Sequence, residues 1–246
     1  MRTRWPVVFL VLAVAAMLVL GPDPVLAGPG GKIASGFVKT FWGKVVLGAL
    51  VILLLPLILW VAVQEHRASK RALADLARLR ALDPAFDWLT LKDRVAECFH
   101  RVHSAWRKED MAQASDWMTD WYWQNQQLAH LDQWAERGLV NRCTVKSVGR
   151  IRPLHLACRS RDGDFSGSRL VVGGTAKMED YLEDRASGKV VEGKKGYADT
   201  ETVWTFALHR GLWRVATIEE DSVSLMYARM RNELPEMLPE PSRQRA

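Results

Sequence analysis

Apolar positions are unevenly placed along this chain. Val7 to Leu20 is an uncharged apolar run, and Val45 to Val63 is a second, 19 residues long and free of charge. Rising about 1.5 Å per residue, a helix over the second run spans about 28 Å, close to the hydrocarbon thickness of a bilayer. Trp42 and Trp60 stand near its ends, where indole rings favour the interface. Pro56 predicts a kink, which lipid-embedded helices tolerate when the freed carbonyls find partners. No soluble core helix needs so long an unbroken Val/Leu/Ile run, so the pattern predicts a transmembrane helix over 45–63.

The first run has the three-part form of a secretory signal. Arg2 and Arg4 give a positive start, Pro22 and Pro24 break the run, and Val25-Leu26-Ala27 offers small residues for cleavage before Gly28. Residues 1–27 are therefore expected to be a signal peptide or an uncleaved signal anchor. Gly28-Pro29-Gly30-Gly31 opens a flexible joint over 28–44.

Beyond the span, 66–82 reads as a continuing helix. Arg67, Lys70, Arg71 and Arg78 share one arc, while Leu73, Leu76, Leu79 and Leu82 fall in the opposite half-circle. Two readings fit a basic juxtamembrane segment over 64–87: a surface for anionic lipid headgroups, with those four cations as contacts, or a solvated spacer. Asp83-Pro84 is expected to end it.

From Trp88 the pattern becomes that of an α+β domain, helices first and strands after. Thr90 with Asp93 resembles a capping box. Leu91, Val95, Phe99, Val102 and Trp106 follow as one apolar stripe at helical spacing. A short helix carries Met111, Ala114 and Trp117. A longer one, capped by Thr119, is expected to turn Trp121, Leu128, Leu131 and Trp134 inward and to end at Arg137-Gly138. Strands are predicted over 140–159, 168–182, 198–209 and 212–220, with Arg210-Gly211 as a tight turn and Gly193 to Gly196 in a longer excursion. Trp204, Phe206 and Leu208 alternate with Val203, Thr205 and Ala207, as in a sheet covered on one face. A helical stretch over about 222–234 precedes a polar tail.

Composition refines this picture. The net charge of +6 is concentrated at the start: residues 1–63 hold five Lys/Arg and one Asp, whereas 88–246 hold 24 Lys/Arg and 23 Asp/Glu. A near-neutral domain argues against nucleic acid as a partner, which demands a basic face. Three cysteines exclude a disulfide-built scaffold, and Cys98, Cys143 and Cys158 fit a reducing compartment. Whether the signal is cleaved or retained, a return through the span leaves residues 64–246 inside. Five basic residues after the span against three before it agree. The expected location is a bacterial inner membrane, crossed once by the mature chain, with the C-terminal domain cytoplasmic.

Glu201-Thr202-Val203-Trp204-Thr205-Phe206, followed by Gly211-x-Trp213-Arg214-Val215 and Ile218, closely resembles the end of the Tim44-like domain. Asp180-Tyr181-x-x-Asp184-x-x-x-Gly188-Lys189-Val190-Val191-x-Gly193 is similar to it too. So is the upstream helix with Trp106, Asp110 and the Met118-Thr119 turn. The resemblance covers about residues 90–222. It implies an NTF2-like cone, helices packed on a curved antiparallel sheet with a pocket between them. It also implies a membrane-docked adaptor contacting lipid or a translocating or nascent chain. The coiled, chaperone-binding N-terminal region of mitochondrial Tim44 is missing, and a motor-recruitment role is not carried over. The expected division is 1–27 signal, 28–44 joint, 45–63 transmembrane helix, 64–87 juxtamembrane segment, 88–222 Tim44-like domain and 223–246 C-terminal helix and tail.

Chemical motifs are weak. Gly188-x-x-x-x-Gly193-Lys194 approaches a phosphate-binding loop, but Lys195 stands where Ser or Thr must hold magnesium. Asp162-x-Asp164-x-Ser166-Gly167 begins like a calcium loop, yet Gly173 occupies the bidentate Glu position. Cys98, His100 and His103 lack a fourth ligand at metal-site spacing. Without a Gly-x-Ser-x-Gly elbow or Cys-x-x-Cys, the expectation is a non-enzyme with no catalytic residue, no metal and no cofactor. An acid–base pair in the cone would draw on Asp120, Tyr122 or His130. Seven tryptophans follow Trp88, and Trp117, Trp121 and Trp123 cannot all face inward from one turn. Trp117, Trp121, Trp123, Trp204 and Trp213 are the pocket or interface candidates. The second functional reading is a pocket protein or enzyme of the same fold holding a small apolar ligand.

Overall fold

A single helix, α1 (Phe41–Leu79), opens the part of the chain that the computed structural model describes, residues 41–161 and 163–235. The expected signal segment, the joint up to residue 40, Asp162 and the tail past Pro235 lie outside the described residues. The chain divides into two units, 1–63 and 64–246. In the first, Ile52, Leu53, Leu57 and Ile58 leave more than half of their surface uncovered. Among the described residues, α1 is the one helix long and apolar enough to cross a membrane.

In the second unit, Ala68, Ala72, Leu76 and Leu79 of α1 are fully buried. Their spacing of four, four and three residues puts them on one helical face. Residues 68–79 are thus part of the domain core, and a solvated spacer is excluded. Leu73 is half-buried and Leu82 exposed, because the helix stops at Leu79 and the face that packs is the alanine–leucine stripe. Polar contacts fix the same helix. Glu65 pairs with Arg152 at 3.0 Å, Arg71 donates to Ala228 O at 2.8 Å, and Asp75 accepts from Asn232 Nδ2 at 2.7 Å.

Helix α2 (Trp88–Arg107) is capped by Asp87, whose carboxylate accepts from Thr90 N, so the cap falls on Asp87 and not on a Thr90–Asp93 box. It buries Leu91, Val95, Cys98, Phe99, Val102 and Ala105. The third helical segment is α3 (Asp120–Gln126), a π turn (Gln127–Leu131) and α4 (Asp132–Glu136). Backbone pairing of Thr119 N with Val215 O sets its entry, and Tyr122 takes the inward place, its hydroxyl accepting from Ile218 N at 2.8 Å. Trp121 therefore points outward, 69% exposed, against expectation. The wider π turn shifts the following register, so Leu131 is buried while Leu128 is exposed. Gln127 pins that turn, accepting from Met111 N and donating to Asp132 Oδ1 at 2.7 Å.

Four antiparallel strands form a meander in the order β1 (Leu139–Ala157), β2 (Arg169–Asp184), β3 (Val190–His209) and β4 (Leu212–Glu220). This is the expected α+β class, helices on a four-stranded antiparallel sheet. Register shifts at Val145, Val148 and Pro153 bend β1. β3 begins earlier than its apolar alternation suggests: the excursion around Gly193 pairs with β2, Gly193 opposite Tyr181. At φ +78°, a Cβ there would stand 2.8 Å from Asp180 O, which only glycine avoids. Gly188 and Gly193 thus serve a hairpin and not a phosphate loop. Arg210 and Gly211, both with positive φ, make the tight turn as predicted.

The inner sheet face carries Leu170, Val172, Met178, Trp204, Phe206 and Trp213 into the core. The outer face is not bare. Leu154, Val171 and Val203 form a second small cluster beneath Val223 and Tyr227, contributed by the 3₁₀ turn Asp221–Val223 and by α5 (Ser224–Arg229). This helix ends before the expected 234. Asn232 and Glu233 then run beside β1, where Glu233 N donates to Leu156 O and Cys158 N to Glu233 O. On the other side, Met118 bridges Val215, so both outer strands have a covering segment.

Candidate functional site

Between the helices and the inner sheet face lies a cavity of about 370 Å³. From α2 it receives Val102, His103 and Trp106; from the third helical segment, Tyr122, Gln126, His130 and Trp134. The sheet supplies Asn141 and Cys143, Met178 and Asp180, Thr200 and Thr202, and Ile218. β1, β2 and β3 each give two residues two apart, the pleat sending both to one face, and β4 gives one. Behind the lining His103 runs a ring stack into the core: His103 lies on Phe99 at 4.6 Å between ring centroids, and Phe99 on Trp204 at 4.4 Å. One wall is aromatic, with Trp106, His130 and Trp134 in mutual contact at 5.5 to 5.7 Å.

Polar groups gather on the sheet side. Asn141 Nδ2 donates to Asp180 Oδ1 at 2.8 Å, and Asn141 Oδ1 is buried without a hydrogen-bond partner. Burial pushes the Tyr122 phenol up to about 12, so it stays protonated at neutral pH. Burial pulls His103 below the ordinary histidine value of 6.5. Its Nδ1 lies 2.7 Å from Phe99 O, a contact that requires the proton on Nδ1. A histidine kept neutral by folding contributes stability that is complete above pH 6.5 and is lost as pH falls from there toward the depressed folded value. Urea unfolding of the full chain in detergent at about pH 7 and about pH 5 is therefore expected to show a stability loss that His103→Gln reduces. An equal loss in both proteins would disprove the assignment.

The five tryptophan candidates do not line this cavity. Trp204 and Trp213 are buried in the core, and Trp213 Nε1 donates to Ala85 O at 2.7 Å. For these two, burial removes both a pocket and a surface role. Trp117 is half-buried between Arg94 and Arg101, whose guanidinium carbons lie 5.7 and 4.8 Å from its ring centre. Trp123 is half-buried against the core. Trp121 alone of the five is exposed and available to a partner. Of the acid–base candidates, Tyr122 and His130 reach the cavity and Asp120 is exposed away from its lining. Among the lipid-headgroup candidates, Arg71 is engaged by the carbonyls of α5 and Arg78 by Asp75 at 3.4 Å. Arg67 and Lys70 remain exposed.

Cys98 and Cys143 have thiols pushed up to about 12 by burial, and all three cysteines are free. Among the described residues no group of three His, Cys, Asp or Glu side chains is placed to hold a metal ion. The lining residues Asn141, Asp180 and Thr200 escape apolar pattern reading. A signal for them exists nonetheless: along β1, β2 and β3 the apolar inward positions Cys143, Met178 and Trp204 each have a polar residue two positions away, Asn141, Asp180 and Thr202, which lines the cavity.

An α+β domain whose helices and sheet part around a half-polar cavity, preceded by an apolar helix, defines a pocketed domain of the membrane-associated kind. A family model for the Tim44-like domain matches residues 73–220, and the chain belongs to that family. The match starts inside α1, in keeping with the burial of its second part. Among solved structures, the crystal structure of the intermembrane space region of chloroplast protein ARC6 is similar over 54% of this chain and 95% of its own, at 13% identity and a TM-score of 0.38. No curated protein matches the sequence.

Proposed function

We propose that this chain is a membrane-tethered adaptor whose Tim44-like domain holds a protein partner at the bacterial inner membrane, on its cytoplasmic side, in protein translocation. The observation that carries the reading is α1. Its uncharged stretch Val45–Val63 exposes apolar side chains fit for lipid, and the same helix goes on into the buried stripe Ala68–Leu79. The cavity and the exposed Trp121 are the docking places. Arg67 and Lys70 supply what lipid-headgroup contact there is. Catalysis forms no part of the reading.

A photo-cross-linking residue replacing Trp134 at the cavity, compared with one replacing Leu89 on the far exposed side of α2, tests the proposal in intact cells. A discrete protein adduct from position 134 and none from position 89 is expected. Adducts equal at both positions, or none, would refute it. A reporter fused after Ala246 reads the side: activity confined to a periplasmic reporter would overturn the cytoplasmic assignment. The second reading, a pocket protein for a small apolar ligand, draws on the cavity wall of Trp106, Trp134, Met178 and Ile218.

A further inference from the structure

The cavity has more to say about charge than about apolar bulk. Histidines aside, Asp180 is the one lining residue that carries a formal charge, and neither lysine nor arginine lines it. Asp180 Oδ1 is taken by Asn141, while Oδ2, on an exposed residue, has no donor among the described residues. Lys194 stands opposite Asp180 in the β2–β3 ladder and forms no ion pair with it. Asn141 is 8% exposed, and its amide oxygen is without a donor. His103, with its proton on Nδ1, offers only a lone pair at Nε2. Asp180 Oδ2 and His103 Nε2, acceptors on adjoining elements, thus border a volume that lacks lysine and arginine. Trp106 and Trp134 line the same cavity, and tryptophan rings attract cations. The smaller neighbouring cavity, bounded by Trp134, Asn141 and Asp180, adds Glu192 and again no base.

We propose that the cavity receives a protonated alkylamine, its ammonium on Asp180 Oδ2 and its methylene chain along Trp106, Trp134, Met178 and Ile218. The proposal rests on the cavity being the domain's binding site, and it names what binds there. A fatty-acid or phosphate head would face Asp180 with like charge. A bare hydrocarbon would cover the exposed carboxylate without supplying a donor, a desolvation penalty with no return. An ammonium satisfies the carboxylate and gains from the rings. The same group is borne by free alkylamines and by a lysine side chain of a partner polypeptide.

The test uses the full chain in detergent micelles, with quenching of its tryptophan fluorescence as the signal. The probes are n-pentylammonium, 1-pentanol and pentanoate, with two peptides differing only in lysine against norleucine. Pentylammonium is expected to bind at least about tenfold more tightly than pentanol, with pentanoate weaker than both. Asp180→Asn, nearly isosteric and at an exposed position, is expected to bring the pentylammonium-to-pentanol affinity ratio down to about one. The lysine peptide binding above the norleucine peptide identifies a polypeptide source; the free amine alone binding identifies a small-molecule source, and either supports the site. Equal affinity for the three small probes, or preference for pentanoate, overturns the proposal and leaves the cavity as a binding site. Absence of binding by every probe overturns the proposal and the cavity reading together.

Discussion

Arginine introduced at both Leu53 and Leu57 will move the chain from the pellet to the supernatant when membranes are extracted with alkaline carbonate. Both side chains are more than half exposed near the middle of the uncharged stretch. Each arginine at the centre of a spanning helix costs about 2.5–3.5 kcal/mol on insertion scales. Two together remove about 5–7 kcal/mol from the insertion free energy, a shift of about four to five orders of magnitude in the partition. Leu82→Arg, at an exposed position beyond the helix, serves as the comparison and stays with the pellet. If the unmodified chain already leaves the membrane in carbonate, the tether does not exist.

Leu76→Ala and Leu79→Ala are each expected to destabilise the domain by about 2–5 kcal/mol. Both side chains are fully buried in the main core beside Phe86 and Leu91. Against a typical total of about 5–15 kcal/mol, the pair together brings the domain close to its unfolding limit. Leu82→Ala, exposed, is expected to stay within about 0.5 kcal/mol of the parent. The reading is urea unfolding of the full chain in detergent, followed by tryptophan fluorescence. Should all three variants unfold alike, the second part of α1 does not belong to the domain.

Much of this architecture can be read from residue order because long periodic stretches leave little choice. The stripe from Leu91 to Val102 could only be a half-buried helix, and the alternation through Trp204, Phe206 and Leu208 only a strand. What escaped reading was decided by contacts far apart in sequence. Trp121 and Tyr122 are equally apolar at their helical positions, and the hydrogen bond from Ile218 N selects the tyrosine for the interior. The π turn at Gln127 has no local signature, for it depends on Met111 and Asp132 holding that side chain. β3 extends through the glycines around 193 because β2 is present to pair with them, not because those residues favour a strand. The basic residues after the span looked alike in a helical projection, yet Arg71 finds the end of α5, 157 residues away. The cavity suffered most, since its wall is assembled from eight elements, the π turn included, and its polar members look like ordinary strand residues.

The run of residues 230–234 along β1 bears on how the protein is handled. Glu233 and Asn232 supply the hydrogen bonds that β1 lacks on its outward side at Leu156 and Cys158. Shortening the chain to Arg229 would uncover that row of amides and carbonyls on a strand with an apolar inner face. Purified material cut there is expected to stack strand to strand with its own copies, a route to aggregates that the longer chain closes off.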